Sequence, residues 1–207
     1  MPILSPEPDR HPDDLFPDAG WVTDDSDDSD TNPNDRPLPP SLFSLADRPW
    51  HLAYTKRQQE KKLLRSLRGA DVWHYCPIVP HRQRSPAGRI RVSHKPLFAG
   101  YAFVCGDEPA RLAAFASDAV VKLQPVEDTE GLIRDLAQIA DLLRREIPMT
   151  IETTIQPGDR VRIKTGAFAG YEGQVLQRRQ RRLLYVTVSM MNQGIGVELD
   201  DCQIEKL

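Results

Sequence analysis

The stretch KPLFAGYAFV, residues 95–104, determines how the rest of the chain is interpreted. Pro96 is a strand breaker, and Phe98 and Tyr101 flank a small hinge that leads into an apolar run typical of a buried strand. The stretch therefore predicts a tight bend that carries two large rings. Because bends usually lie at the surface, we expect one ring to be displayed; the alternative, that both rings belong to the core, stays open at this point.

Alternating and helical patterns around this bend predict an α+β domain. The elements expected, in chain order, are a strand (50–56), a helix (58–67), a strand (72–79), a basic hairpin whose loop is HRQRSPAG (81–88) and whose second strand is 89–94, a strand (101–105), a helix (107–117), a strand (120–123) and a helix (130–146). This order predicts a largely antiparallel sheet flanked by helices.

The pattern of apolar residues and glycines changes after a predicted linker at residues 148–156. From residue 157 to residue 207, glycines separate five short segments that alternate at period two. Short, evenly spaced strands with glycine turns are typical of small barrels. The second domain is therefore predicted to be a five-stranded β-barrel.

Charge is distributed unevenly between the two ends of the chain. Residues 1–47 contain 9 of the 18 prolines, with 12 acidic and 2 basic residues, whereas residues 48–207 contain 18 acidic and 25 basic residues. The first segment predicts a disordered tail, either simply solvated or acting as an electrostatic decoy. The basic body suits RNA, DNA or an acidic protein surface.

Several classes of protein are not supported by the sequence. Three cysteines lie far apart without metal-ligand spacing, and no motif pairs a nucleophile with a base. The N-terminus lacks the pattern of a signal peptide, and no apolar run reaches the ~18 residues of a membrane span. We therefore expect a cytoplasmic monomer that is not an enzyme, with no cofactor, no metal and no membrane partner.

Two separated motifs give the chain a resemblance to the NusG family of transcription elongation factors. WHLAYTKRQQE (50–60) and KPLFAGYAFV (95–104) are similar to the family's N-terminal domain, although Ala99 stands where the family usually has proline. GDRVRIKTGAFAGYEGQV (158–175) resembles the KOW motif, and VELDDCQIEKL (197–207) resembles the family's last strands. The resemblance implies a polymerase-binding domain at residues 48–147 and a KOW barrel at residues 157–207.

The resemblance also implies partners and site residues. The first domain is expected to bind the clamp helices of RNA polymerase through an apolar depression, with Phe98 displayed in it and Tyr101 partly packed; its residues are Trp50, Tyr54, Leu97, Phe98 and Tyr101. In the KOW domain, Phe168 is expected to be core. Tyr171, at a loop tip, is expected to contact a partner such as Rho or a ribosomal small-subunit protein.

Basic residues near the first helix and in the hairpin make the chain look more like the specialised RfaH-type paralogues, some of which bind the non-template DNA strand. The candidate nucleic-acid contacts are Lys56, Arg57, Gln59, Lys61, Arg82, Arg84 and Arg89. The period-two pattern predicts that the KOW domain is a barrel without an obligate helical form. An RNA- or ribosome-binding KOW protein that does not modulate polymerase remains the alternative.

Overall fold

The computed structural model describes residues 8–17, 40–84, 89–145, 149–152, 160–163, 171–178, 181–191, 193–198 and 204–206. These residues form a mixed α/β structure with antiparallel sheets and four α-helices. They divide into two compact units. The first contains residues up to Leu15 and Arg48–Thr129, and the second contains Phe16–Asp47 and the residues from Glu130 onward.

The regular elements follow in chain order. The helices are α1 (Pro40–Ala46), α2 (Glu60–Gly69), α3 (Glu108–Ala116) and α4 (Thr129–Arg144). The strands are β1 (Arg10–His11), β2 (Trp50–Thr55), β3 (His74–Tyr75), β4 (Ile78–Arg84), β5 (Ile90–Pro96), β6 (Tyr101–Cys105), β7 (Val120–Pro125), β8 (Met149–Glu152), β9 (Arg160–Ile163), β10 (Glu172–Arg178), β11 (Arg181–Val188), β12 (Gln193–Glu198) and β13 (Ile204–Lys206). A single 3-10 turn covers Ser189–Met191.

An antiparallel sheet in the order β1-β3-β6-β2-β7 forms the centre of the first unit. Its two central strands, β2 and β6, pair with Tyr54 opposite Tyr101. One cluster of the core contains small side chains from these strands together with the apolar stripe of α2 and two alanines of α3; its members include Ala53, Ala102, Val104, Leu63, Leu64, Leu67, Ala110 and Ala114. The leucines recur at helical spacing, which is why this segment forms an amphipathic helix, as predicted.

A second, two-stranded sheet consists of β4 and β5 alone. The strands pair in register from Ile78 opposite Pro96 to Arg84 opposite Ile90. A hairpin was predicted here, but its first strand extends through residues 81–84, which were assigned to the loop. The predicted strand 72–79 is divided between β3 and β4, which belong to different sheets. The tip, residues 85–88, lies outside the described residues.

The N-terminal segment departs from the prediction that residues 1–47 are disordered. β1 pairs with β3 at the edge of the five-stranded sheet, and the Cys76 amide donates to the Asp9 carbonyl at 2.8 Å. Leu42 and Leu45 of α1 are buried. The prediction failed here because the apolar stripe of PSLFSLA is short, with only two leucines three residues apart, in a segment rich in proline. Residues 1–7 and 18–39 lie outside the described residues.

The second unit contains a six-stranded antiparallel sheet in the order β13-β9-β10-β11-β12-β8. All five strands predicted from period two are present. A sixth, β8, pairs with β12 inside the predicted linker 148–156, where MTIE also alternates apolar and polar residues. Within the described residues, β13 and β8 each pair on one side only, so this sheet is not closed and the predicted five-stranded barrel is not confirmed.

Helix α4 is buried over more of its circumference than its predicted apolar stripe requires. Every residue from Leu136 to Leu142 is buried, including Gln138 and Asp141. A buried carboxylate is costly unless ion pairs or hydrogen bonds satisfy it. Asp141 has such partners in Tyr171, Arg144 and Arg145, which are described with the candidate sites below.

Candidate functional site

The bend at Gly100 is fixed by hydrogen bonds to both polar groups of that residue. The Thr55 amide donates to the Gly100 carbonyl at 2.8 Å, and the Gly100 amide donates to the Glu60 carboxylate at 2.7 Å. Gly100 has φ +86°, a conformation that side-chain-bearing residues rarely adopt. These bonds tie the bend to β2 and α2, so its geometry does not depend on a proline at position 99.

The five residues expected to bind polymerase fall into two groups. Tyr54 and Tyr101 are half-buried, and their ring centroids lie 5.3 Å apart with planes tilted by 59°. Trp50, Leu97 and Phe98 are buried, Phe98 with only 2% of its surface exposed. We refer to Tyr54 and Tyr101 as the tyrosine pair.

The expectation that Phe98 is displayed is therefore wrong in this structure, and its assignment to the core is correct. Removing a phenyl ring from water is favourable by about 2–3 kcal/mol, and the bend places the ring where that gain is realised. The expectation that Tyr101 is partly packed agrees with its half-buried ring. Whether any of the five residues contacts a polymerase stays a prediction.

Two residues of β7 extend the tyrosine pair, and sequence reasoning missed both. The Tyr54 hydroxyl donates to Gln124 Oε1 at 3.0 Å. Lys122 Nζ donates to the same oxygen at 3.3 Å and lies 5.3 Å from the centroid of the Tyr54 ring. Tyr54 lies opposite Lys122 in the β2–β7 ladder. The alternation of VVKLQP predicts that Lys122 and Gln124 share one face of β7. It does not predict that β7 pairs with β2.

Several cations on and before α2 already have partners within the protein. Lys56 Nζ lies 2.6 Å from Asp118 Oδ1, and Lys62 Nζ lies 3.8 Å from Oδ2 of the same side chain. The hydrogen bond from Lys56 lowers the pKa of Asp118. Arg68 is paired with Asp13 at 3.2 Å and also donates to the Arg10 carbonyl. These contacts reduce the positive charge that α2 offers to a nucleic acid.

The remaining nucleic-acid candidates occupy two different elements. Arg57 is exposed before α2, while Gln59 and Lys61 are half-buried at its start. On the hairpin, Arg84 and Arg89 are exposed. Arg82 pairs through its backbone with Val92, and its side chain lies outside the described part of the structure.

Tyr171 is buried, so the expectation that it lies at an accessible loop tip is wrong, while its contact with a partner stays a prediction. Only 1% of its surface is exposed, and its hydroxyl donates to Asp141 Oδ2. Arg144 Nη1 and Arg145 Nε lie 3.0 and 2.9 Å from the Asp141 carboxylate. The pKa of Tyr171 is raised, first by burial and then by the hydrogen bond to Asp141. We refer to these four residues as the Asp141 cluster; Phe168, the predicted core residue of the same loop, lies outside the described residues.

Burial also shifts the pKa values of three titratable groups outside these sites, His74, Cys76 and Cys105. Burial lowers the pKa of His74 to about 4 and raises that of Cys105 to about 11. Burial also raises the pKa of Cys76 far above its ordinary value. Among the residues that the structure describes, no three His, Cys, Asp or Glu side chains are grouped as metal ligands would be. None of the described helices has the length and apolar character needed to cross a membrane.

Comparison with known proteins gives a consistent set of relatives, although no family model matches the chain. The chain is 27% identical over 182 residues to the transcription termination/antitermination protein NusG of Thermus thermophilus, covering 76% of this chain and 97% of that protein. It is 29% identical over 132 residues to NusG of Escherichia coli K12, covering 58% of this chain and 70% of that protein.

A solved structure also matches over much of the length. It is a chain of the MjSpt4:Spt5 complex in conformation B, with 16% identity, a TM-score of 0.25, and coverage of 76% of this chain and 97% of that one. A score this low carries no argument about the fold. The sequence similarities to NusG proteins are therefore the findings that bear on function.

Proposed function

We propose that this chain, a relative of the NusG transcription termination/antitermination proteins, is a transcription elongation and antitermination factor that binds RNA polymerase. The observation that carries the proposal is the match to the Thermus protein, which spans nearly the whole of that relative. Because the match covers 76% of this chain and 97% of that relative, it supports a shared overall organisation. We assign polymerase binding to residues 48–147 and a KOW module to residues 157–207.

The tyrosine pair is the part of the expected polymerase surface that is accessible in this structure. Two half-buried rings with a cation beside them offer both apolar contact and a charge to a helical partner such as the polymerase clamp helices. Leu97 and Phe98 are buried within the bend itself, while Trp50 is buried at the other end of β2. In this proposal, Tyr54, Tyr101 and Lys122 make the contact, and Leu97 and Phe98 hold the bend in position.

Nucleic acid is the second proposed partner. Arg57, with Gln59 and Lys61, lies at the start of α2 and is suited to the non-template DNA strand in the manner of the RfaH-type paralogues. Lys56 contributes less, because Asp118 already neutralises its charge. The hairpin offers a separate set of cations, which includes Arg84 and Arg89.

The KOW module is proposed to recruit a further protein, with Rho and a ribosomal small-subunit protein as the candidates. Tyr171 is the residue expected to contact that partner, and in this structure its hydroxyl is bound to Asp141. Recruitment through Tyr171 would therefore require its ring to leave the Asp141 cluster. Residues 148–156 connect the two parts in this proposal, although β8 gives four of them strand structure.

A pull-down with bacterial core RNA polymerase tests the proposal. We expect the wild-type chain to be retained and Tyr54→Ala and Tyr101→Ala to be retained at least tenfold less, because an interface aromatic often contributes about 2 kcal/mol. Phe115→Ala is the matched control: its ring is exposed on α3, and α3 packs on the sheet face of Ala53 and Ala102, opposite to the face of the tyrosine pair. Thermal unfolding of each variant separates a lost contact from a lost fold.

Each result of this experiment has a definite meaning. If the wild-type chain does not bind polymerase, the function is wrong, and an RNA- or ribosome-binding role becomes the better account. If all variants bind equally, the function stands and the tyrosine pair is not the contact. A pause assay on templates that differ only in the non-template strand then distinguishes a general factor from an operon-specific one.

A further inference from the structure

The β4–β5 hairpin displays apolar side chains that are exposed within the part of the chain that the structure describes. Ile90 is 68% exposed and Val92 is 44% exposed. In the described chain, β4 and β5 pair only with each other, while the root of the hairpin is held by the Leu97 amide, which donates to the Pro77 carbonyl at 2.7 Å. The hairpin is therefore a ribbon anchored at one end, and it carries exposed β-branched residues.

The strand register places these apolar residues on one face of the ribbon. Ile90 and Val92 are two positions apart on β5 and so share a face, and Arg84 lies directly opposite Ile90. The other face carries Gln83 opposite Arg91. One face thus combines aliphatic groups with an arginine, and the other is polar and basic.

The charge around this ribbon points to a polyanion. Between Asp71 and Asp107 the sequence contains no acidic residue. Arg84, Arg91 and Lys95 are exposed along the two strands. A second copy of the ribbon or another basic surface would be repelled, whereas phosphates would be attracted by every charge in the segment.

Three features select duplex DNA among the nucleic acids. Residues 78–96 contain no Phe, Tyr or Trp, so the ribbon lacks the stacking platforms that single-strand binders use. The deep, narrow major groove of A-form RNA does not admit side chains, whereas the major groove of B-DNA admits a two-stranded β-ribbon. In that groove the thymine methyl group is the apolar feature that an aliphatic side chain can contact.

We propose that the β4–β5 ribbon binds the major groove of duplex DNA, with Ile90 and Val92 against base edges that include thymine methyl groups, and with Arg84, on the same face, on a flanking phosphate. This specifies the nucleic-acid contact of the function proposed above and rests on that function for its biological setting. The binding itself depends only on the ribbon.

Fluorescence anisotropy of the full chain with labelled oligonucleotides tests the proposal. The probes are a 20-base-pair A·T-rich DNA duplex, the same duplex with uracil in place of thymine, one of its single strands, and an RNA duplex. We expect the thymine duplex to bind most tightly. Uracil substitution is expected to weaken binding by about fourfold for each methyl group that is buried.

The variants separate the apolar contact from the ionic one. Ile90→Ser is expected to weaken duplex binding about tenfold, to leave the slope of log affinity against log salt unchanged, and to remove most of the thymine preference. Arg84→Gln is expected to reduce the magnitude of that slope by about 0.9 and to keep the thymine preference. Arg91→Gln, on the opposite face, is the charge-matched control and is expected to leave the slope nearly unchanged. Leu112→Ser is the control for Ile90→Ser, since Leu112 is 61% exposed on α3 and should bind as the wild type does.

Several results would overturn the inference. Tighter binding of the single strand or of the RNA duplex would reject the groove assignment, and equal binding of Ile90→Ser and Leu112→Ser would reject the apolar contact. No duplex binding at low salt would reject the ribbon as a DNA site altogether. A chain that binds polymerase but not DNA loses only this inference, whereas a chain that binds DNA but not polymerase loses only the proposed function.

Discussion

The tetrapeptide FAGY occurs twice in the chain, at residues 98–101 and 168–171, and its two tyrosines lie in different surroundings. Tyr101 is half-buried beside Tyr54. Tyr171, the one residue of the second copy within the described chain, is buried and bonded to Asp141. The same local sequence thus has one tyrosine ring partly exposed to solvent and the other buried, because the elements that pack around a side chain determine its exposure.

Among substitutions in the first FAGY copy, truncation of Phe98 should lower the free energy of unfolding most. Phe98→Ala removes a fully buried ring and should lower the free energy of unfolding by about 4 kcal/mol, since large aromatic truncations leave a cavity as well as losing transfer energy. Urea denaturation gives the value. Tyr101→Ala, three residues away and half-buried, should cost about half as much; equal costs would mean that the two rings are equally packed.

The Asp141 cluster is the corresponding test for the second copy. Asp141→Ala should lower the free energy of unfolding by about 3 kcal/mol, because it leaves a buried tyrosine hydroxyl without its acceptor and two arginines without their carboxylate. Asp141→Asn keeps a hydrogen-bond acceptor of similar size and should cost clearly less. If both substitutions are neutral in urea denaturation, Tyr171 is not held by this carboxylate.

The elements that sequence predicted correctly are those with a strong period. The leucines of α2 recur every three or four residues, and strands β10, β11 and β12 have six to eight residues, so each pattern spans more than one repeat. β1 could not be found in this way, because it has two residues and depends on a free edge of β3. α1 was hidden by the prolines around it.

The candidate sites were predicted less well, since their geometry depends on partners distant in sequence. The bend and its rings were found locally, but the burial of Phe98 and the place of Lys122 beside Tyr54 depend on packing and on strand register. Tyr171 was misplaced for the same reason. Its acceptor lies 30 residues earlier on α4, and no local pattern links the two.

Removal of the Tyr171 hydroxyl gives a smaller effect that depends on pH. Tyr171→Phe should cost about 1.5 kcal/mol at neutral pH, because the buried Asp141 loses one donor. The raised pKa means that the folded chain keeps this proton when the unfolded chain releases it, so wild-type stability should fall as pH rises above about 10. In urea denaturation from pH 9 to 11, the free energy of unfolding of Tyr171→Phe should fall less with pH than that of the wild type. If the two fall equally with pH, the pKa of Tyr171 is not raised by folding.

The smallest expected effect concerns the backbone of the first FAGY copy. A Cβ added at Gly100 would meet no heavy atom within 4 Å, so the cost of Gly100→Ala comes from its φ of +86° alone and should be about 1 kcal/mol. Gly69→Ala is the matched control, because Gly69 is equally open, lies in helix α2 and has no positive φ; it should be neutral or stabilising by up to about 1 kcal/mol. The opposite signs of the two alanine substitutions, measured by urea denaturation, would show that the bend is held by its hydrogen bonds in a conformation that glycine tolerates. Equal changes in the free energy of unfolding would mean that the bend relaxes to accept a side chain at position 100. The hydrogen bonds of Gly100 to Thr55 and Glu60 would then constrain the position of Tyr101 less than their geometry indicates.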